Sequence, residues 1–115
     1  MSQSICEVYN VKVGDVFSGE WGYNMTIPEF FQVTKVTKSS VYLRPLKKNI
    51  VSGGGFEGNL EAVPNEFDDS NFYPKKEFLV RVQQGYRNQP MVHVKEPDVR
   101  CYHTTNLQAY YNRLD

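Results

Sequence analysis

The side chains best suited to metal ligation or nucleophilic catalysis in this chain are Cys6, His93, Cys101 and His103. Zinc sites gather such residues in closely spaced pairs, and this set contains no C-x-x-C and no closely spaced His pair. Cys101 and His103 alone are near neighbours. On an alternating strand they share a face, where core packing for the thiol and a cap or surface role for the imidazole account for them. A nucleophile also needs a base that a third group orients, and Cys101 with His93 or His103 and Asp98 is the only set offering all three. Adjacent residues seldom point at one another productively, so no enzyme activity, metal or cofactor is expected. Residues Gly53 to Gly58 match G-x-G-x-x-G. A dinucleotide site needs those glycines to open a helix, and the following NLEAVP is not helical. Asp68 and Asp69 lie in a loop-like stretch rich in Pro, Asn, Asp and Ser, where Asp caps turns rather than acting as acid or base.

What remains are the residue types of binding surfaces. Thirteen basic and thirteen acidic side chains cancel, so the chain as a whole exerts no net pull on nucleic acid or an anionic membrane. The charges are nevertheless segregated. Lys35, Lys38, Arg44, Lys47 and Lys48 fall within 35–48 without an acid, whereas Glu57, Glu61, Glu66, Asp68 and Asp69 fall within 57–69 without a base. The basic segment also holds Tyr42, and Lys or Arg beside an exposed aromatic is the usual platform for single strands. In GEWGYNMTIPEFFQV, Trp21 and Tyr23 occupy a Gly-flanked turn with Asn24 beside them. There Trp21 folds back as a lid or, with Tyr23, anchors a protein interface. The acidic set would offer such a partner a mimic of phosphate charge.

These candidates must be positioned by short strands. At 115 residues, with 40% hydrophobic and 14% aromatic side chains, the chain can bury one core without staples. A single domain over 1–115 is expected. No apolar run approaches the roughly 20 residues of a membrane helix, and MSQSICEVYN has no signal-peptide pattern, so a cytoplasmic protein with two buried free thiols is expected. VKVGDVFS reads as a strand with a bend at Gly14-Asp15. EFFQVTKVT places Phe31 and Val33 on one face and Phe30, Gln32, Thr34 and Val36 on the other, which predicts a strand covered on both sides. The short Lys38-Ser39-Ser40 link then pairs it with VYLRPL as a hairpin. Residues 47–59 read as a flexible Gly-rich loop, NLEAVPNEF as a short edge strand ending at Pro64, and 64–74 as an acidic, Pro-containing loop. EFLVRVQ alternates cleanly, and the Gly85–Asn88 turn returns PMVHV as its hairpin partner. TTNLQAYYNRL carries Leu107, Tyr110 and Tyr111 at helical spacing behind Thr caps, which predicts one short C-terminal helix or turn. The fold class is mainly β: a small curved antiparallel sheet or an SH3-like, partly open barrel.

The run VGDVFSGEWGYNMTIPEFFQVTKVTKSSVYLRPL resembles a group of small proteins often encoded by phages and other mobile elements. Their pattern is roughly G-D-hydrophobic-F, then S-W-G-Y-D-Q-T-N, then F-x-Q-V and a hydrophobic strand ending in R-P. This chain departs from it at Glu20, Asn24, Met25 and Ile27-Pro28. The resemblance implies phage or plasmid origin and a bacterial host. Small mobile-element proteins of this length frequently bind and block a host defence protein, so with that context the residues give the leading expectation of a non-enzymatic protein-binding module, an inhibitor of a host defence nuclease such as an anti-CRISPR, with Trp21, Tyr23, Asn24 and the acidic set at the interface. The alternative expectation is an SH3-like nucleic-acid-binding accessory protein that uses Lys35, Lys38, Tyr42, Arg44, Lys47 and Lys48.

Overall fold

The computed structural model describes residues 5–21, 26–54, 57–68, 76–95 and 98–112. It is mainly β. Among the described residues, one short α-helix, α1 (Ile5–Val8), precedes nine strands: β1 (Val16–Trp21), β2 (Ile27–Val36), β3 (Ser40–Gly54), β4 (Glu57–Phe67), β5 (Phe78–Arg81), β6 (Gln83–Gln84), β7 (Pro90–Lys95), β8 (Asp98–Thr104) and β9 (Gln108–Asn112). All strand pairings are antiparallel, in the order β6-β7-β8-β1-β2-β3-β4-β9, with β5 also on β3. Among the described residues, no helix is long and apolar enough to cross a membrane.

The sheet curls because one segment serves both of its ends. Phe78 to Arg81 pair with Leu43 to Ser40 of β3, and two residues later Gln83 and Gln84 pair with Met91 and Pro90 of β7. The result is a partly open barrel filled by Phe17, Phe31, Val33, Val41, Leu43, Phe78, Val82, Val92, Val94, Val99 and Cys101. Where β2 turns into β3, the barrel is closed by α1, whose Cys6 N–H donates to the Lys38 carbonyl at 3.4 Å. Trp21, at the other end of β1, lies half-buried against the same core. A smaller core of Val16, Phe30, Leu46 and Ala62 occupies the opposite face, as the two-residue alternation along a strand requires.

Several local expectations change. The periodicity of 77–94 predicts one hairpin, but only its Gln83–Gln84 and Pro90–Met91 ends pair, since β5 is taken by β3. Residues 47–54 and 57–59 are strand, not loop, because here the glycines serve close strand approach. A Cβ on Gly53, whose φ is +76°, would lie 2.7 Å from the Gly58 Cα, and one on Gly58 would meet the Tyr111 ring at 3.1 Å. β4 likewise runs through Pro64 to Phe67, with β9 covering only Glu57 to Glu61. Pro64 therefore sits where β9 needs no donor from it. The rest of the 64–74 segment after Asp68 is outside the described residues.

At the C-terminus the helix gives way to β9. Thr104 Oγ1 accepts the Asn106 N–H, and Asn106 Oδ1 accepts the Gln108 N–H, each at 3.0 Å. The side chains that would cap a helix instead close a turn, and the Tyr-rich segment then pairs with β4.

The Gly85–Asn88 turn is borne out at a conformational cost. Arg87 and Asn88 are consecutive left-handed residues, at φ 60° and 57°, in a reversal closed by the Gly85 N–H donating to the Gln89 carbonyl at 2.7 Å. Arg87→Gly should raise the unfolding free energy by about 0.5–1 kcal/mol, because a Cβ is disfavoured there. Urea denaturation followed by tryptophan fluorescence measures this, and a loss of stability would show that the Arg87 side chain contributes more than its backbone costs.

Candidate nucleic-acid interface

The residues singled out as a basic–aromatic platform meet on the outer face of β2, β3 and β5 through a β-bulge. Val33 pairs with Leu43, but the next pairs are Lys35 with Tyr42 and Val36 with Val41, so Thr34 is the extra residue. Strict alternation would place Lys35 with Phe31 and Val33 in the core, and Val36 outside it. The bulge reverses both: Val36 packs on the main core, while Lys35 is exposed with its Nζ 5.5 Å from the centre of the Tyr42 ring. The cation–π contact draws the two across the strands.

The same face gains residues that the sequence reading did not include. Tyr42 pairs with Leu79, which is 60% exposed, and Ser40 pairs with the exposed Arg81. Gln32 pairs with Arg44, whose guanidinium carbon lies 4.2 Å from the centre of the Phe67 ring. The face is bounded by β4, tied down where Gln32 Nε2 donates to Asn65 Oδ1 at 2.8 Å and the Asn65 N–H donates to Gln32 Oε1 at 2.9 Å. Near its edge the Glu77 carboxylate accepts the Thr34 hydroxyl at 2.8 Å. The alternation of EFLVRVQ already sets Leu79 and Arg81 on one side of β5. What was missing was their partner strand.

The remaining basic residues divide. Lys38 is exposed in the β2–β3 turn and Lys47 is exposed at the irregularity between Leu46 and Lys48. Lys48 is diverted inward. Its Nζ donates to Glu29 Oε1 at 2.5 Å and to the Pro28 carbonyl at 3.0 Å, and the Glu29 residue is only 1% exposed.

The proposed protein-binding set is dispersed. Trp21 packs on the core, and Tyr23, Asn24 and Asp69 are outside the described residues. Glu57 and Glu61 are exposed on β4 and engaged across to β9: Glu57 Oε2 accepts the Tyr110 hydroxyl at 2.8 Å and Glu61 Oε2 accepts from Gln108 Nε2 at 2.9 Å. Glu66 and Asp68 stand at the other end of that strand, where the Asp68 N–H donates to the Pro45 carbonyl at 2.8 Å. Two separate acidic pairs replace one patch.

The candidate nucleophile is not assembled. Cys101 is fully buried, and burial followed by the nearby Glu29 carboxylate pushes its thiol well above the usual range. That suppresses the thiolate. His93 pairs with Arg100 and so faces away from Cys101, which pairs with Val92. His103 Nε2 instead lies 3.4 Å from Asp15 Oδ2 at the rim of a shallow cavity. Both cysteines are free and buried, as expected.

With this geometry in place, the chain is a small, mainly β domain built on a curled antiparallel sheet with one short helix. No family model, curated protein or solved structure matches it.

Proposed function

We propose that the protein is a non-enzymatic binding module that holds nucleic acid on the outer face of β2, β3 and β5. The observation that carries this reading is the bulge at Thr34, which brings Lys35 out of the core and onto Tyr42. Arg44 and Arg81 flank that pair on the same sheet face. With zero net charge, attraction is local and comes from a few contacts, so binding should weaken with salt in proportion to their number. Electrophoretic shift of single- and double-stranded DNA and RNA at about 50 and 200 mM salt tests it. The expected result is a shift at low salt that Lys35→Gln/Arg81→Gln abolishes. No shift of any nucleic acid at low salt, or an unchanged shift in the variant, would overturn the reading.

A second reading, an inhibitor of a host defence nuclease acting in a bacterial cytoplasm, draws on the ribbon of β3, β4 and β9. Tyr110 is 48% exposed there, and it shares a sheet face with Glu57 and Glu61. An aromatic anchor next to acids suits a protein partner. Inhibition of a purified nuclease that survives Lys35→Gln/Arg81→Gln but is lost in Glu57→Gln/Glu61→Gln would favour it.

A further inference from the structure

Resting on the nucleic-acid reading above, we infer that the ligand of this face is a single strand contacted over only a few nucleotides, with one base seated on Tyr42 and Leu79. The argument begins with what separates this face from a merely cationic one. Lys35, Tyr42 and Leu79 form one row across three neighbouring strands, and Arg81 lies two residues beyond Leu79 on β5. Strands are about 4.8 Å apart and rise about 3.3 Å per residue, so the row spans about 10 Å and Lys35 to Arg81 about 12 Å.

The centre of that span is apolar. Leu79 is 60% exposed and Tyr42 is half-buried beside it. Duplex DNA turns its phosphates outward and keeps its bases stacked inside, so a duplex leaves this apolar centre wet. An unstacked base can cover it, while the neighbouring phosphates meet Lys35 and Arg81. A duplex major groove admits a two-stranded ribbon, whereas the projecting β3–β4 end is widened by β9 into three strands and carries Glu57 and Glu61, which repel phosphate. The short span also limits the footprint. Single-strand sites on small barrels cover about 4–16 nucleotides, and a patch about 10 Å wide belongs at or below the low end.

The test is fluorescence anisotropy with labelled oligothymidylates of increasing length and a hairpin duplex of matched charge, each over a salt series. Affinity should rise up to about four nucleotides and then level off, with the duplex at least about tenfold weaker. Two phosphate contacts predict a slope of log affinity against log salt near −1.4, and Lys35→Gln or Arg81→Gln should each reduce its magnitude by about 0.7. Leu79→Asn and Tyr42→Leu should weaken single-strand binding at least about fivefold with the salt slope unchanged. Leu79 is solvent-facing, so its substitution reports on binding even if Tyr42→Leu perturbs folding. Equal affinity for duplex and single strand, or no effect of Leu79→Asn, would overturn the single-strand inference while leaving a nucleic-acid module standing. Absence of binding by both probes at low salt would instead remove the reading beneath it.

Discussion

Lys48→Met should lower the unfolding free energy by about 3–5 kcal/mol, although Lys48 sits among surface-type residues in the sequence. The carboxylate of Glu29 is inside the protein, 1% exposed, and Lys48 Nζ reaches it at 2.5 Å while also donating to the Pro28 carbonyl. Removing the ammonium takes this cation from a carboxylate that is 1% exposed, so the penalty includes the cost of keeping that charge out of water and not only one lost contact. The companion experiment separates these effects. Glu29→Leu combined with Lys48→Met replaces the pair by apolar groups and should recover most of the loss, since buried ion pairs often do no better than well-packed hydrophobic residues. Urea denaturation of the wild type, both single variants and the double variant measures the coupling. A Lys48→Met cost below about 1 kcal/mol would mean that water reaches Glu29 and that the pair behaves as a surface one.

Phe31→Ala should be about as damaging, at about 3–5 kcal/mol, for a different reason. Phe31 is fully buried where β2 crosses the middle of the barrel, paired to Phe17 on β1 and Pro45 on β3. Its ring meets Phe78 edge to face, with centroids 5.8 Å apart and planes at 82°. The substitution removes apolar burial, opens a cavity that flanking strands cannot collapse to fill, and takes away the ring that links β2 to β5. Since domains of this size are stable by about 5–15 kcal/mol, a large share of the total is at stake. Leu79→Ala, by contrast, should change stability by less than about 0.5 kcal/mol, because that side chain is mostly in solvent. If Phe31→Ala costs no more than Leu79→Ala in the same urea titration, the barrel core is misplaced.

Sequence periodicity made the two-sided burial of β2 legible, because Phe30 and Phe31 are adjacent and an alternating strand must send them to opposite faces. Periodicity also made the β-rich class legible, while residue type alone marked the turn at Gly85–Asn88 and the two free buried thiols. It could not show the bulge. An extra residue at Thr34 costs the pattern one phase shift, and whether Val36 or Lys35 goes inside depends on how β3 matches the whole strand. The partner of β5 was hidden for a related reason. Proximity in sequence favours the hairpin with β7, and only the curl of the sheet offers β3 instead.

Glu29 left no signal at all. It stands at the start of a strand whose burial is carried by Phe30, Phe31 and Val33, and the cation that makes its own burial tolerable is supplied from β3. Composition and alternation alone thus determined the β-rich class of fold and the two-sided burial of β2. Tertiary structure alone decided which charged residues meet, because side-chain direction is local but strand register and sheet closure are set by the packing of the whole chain.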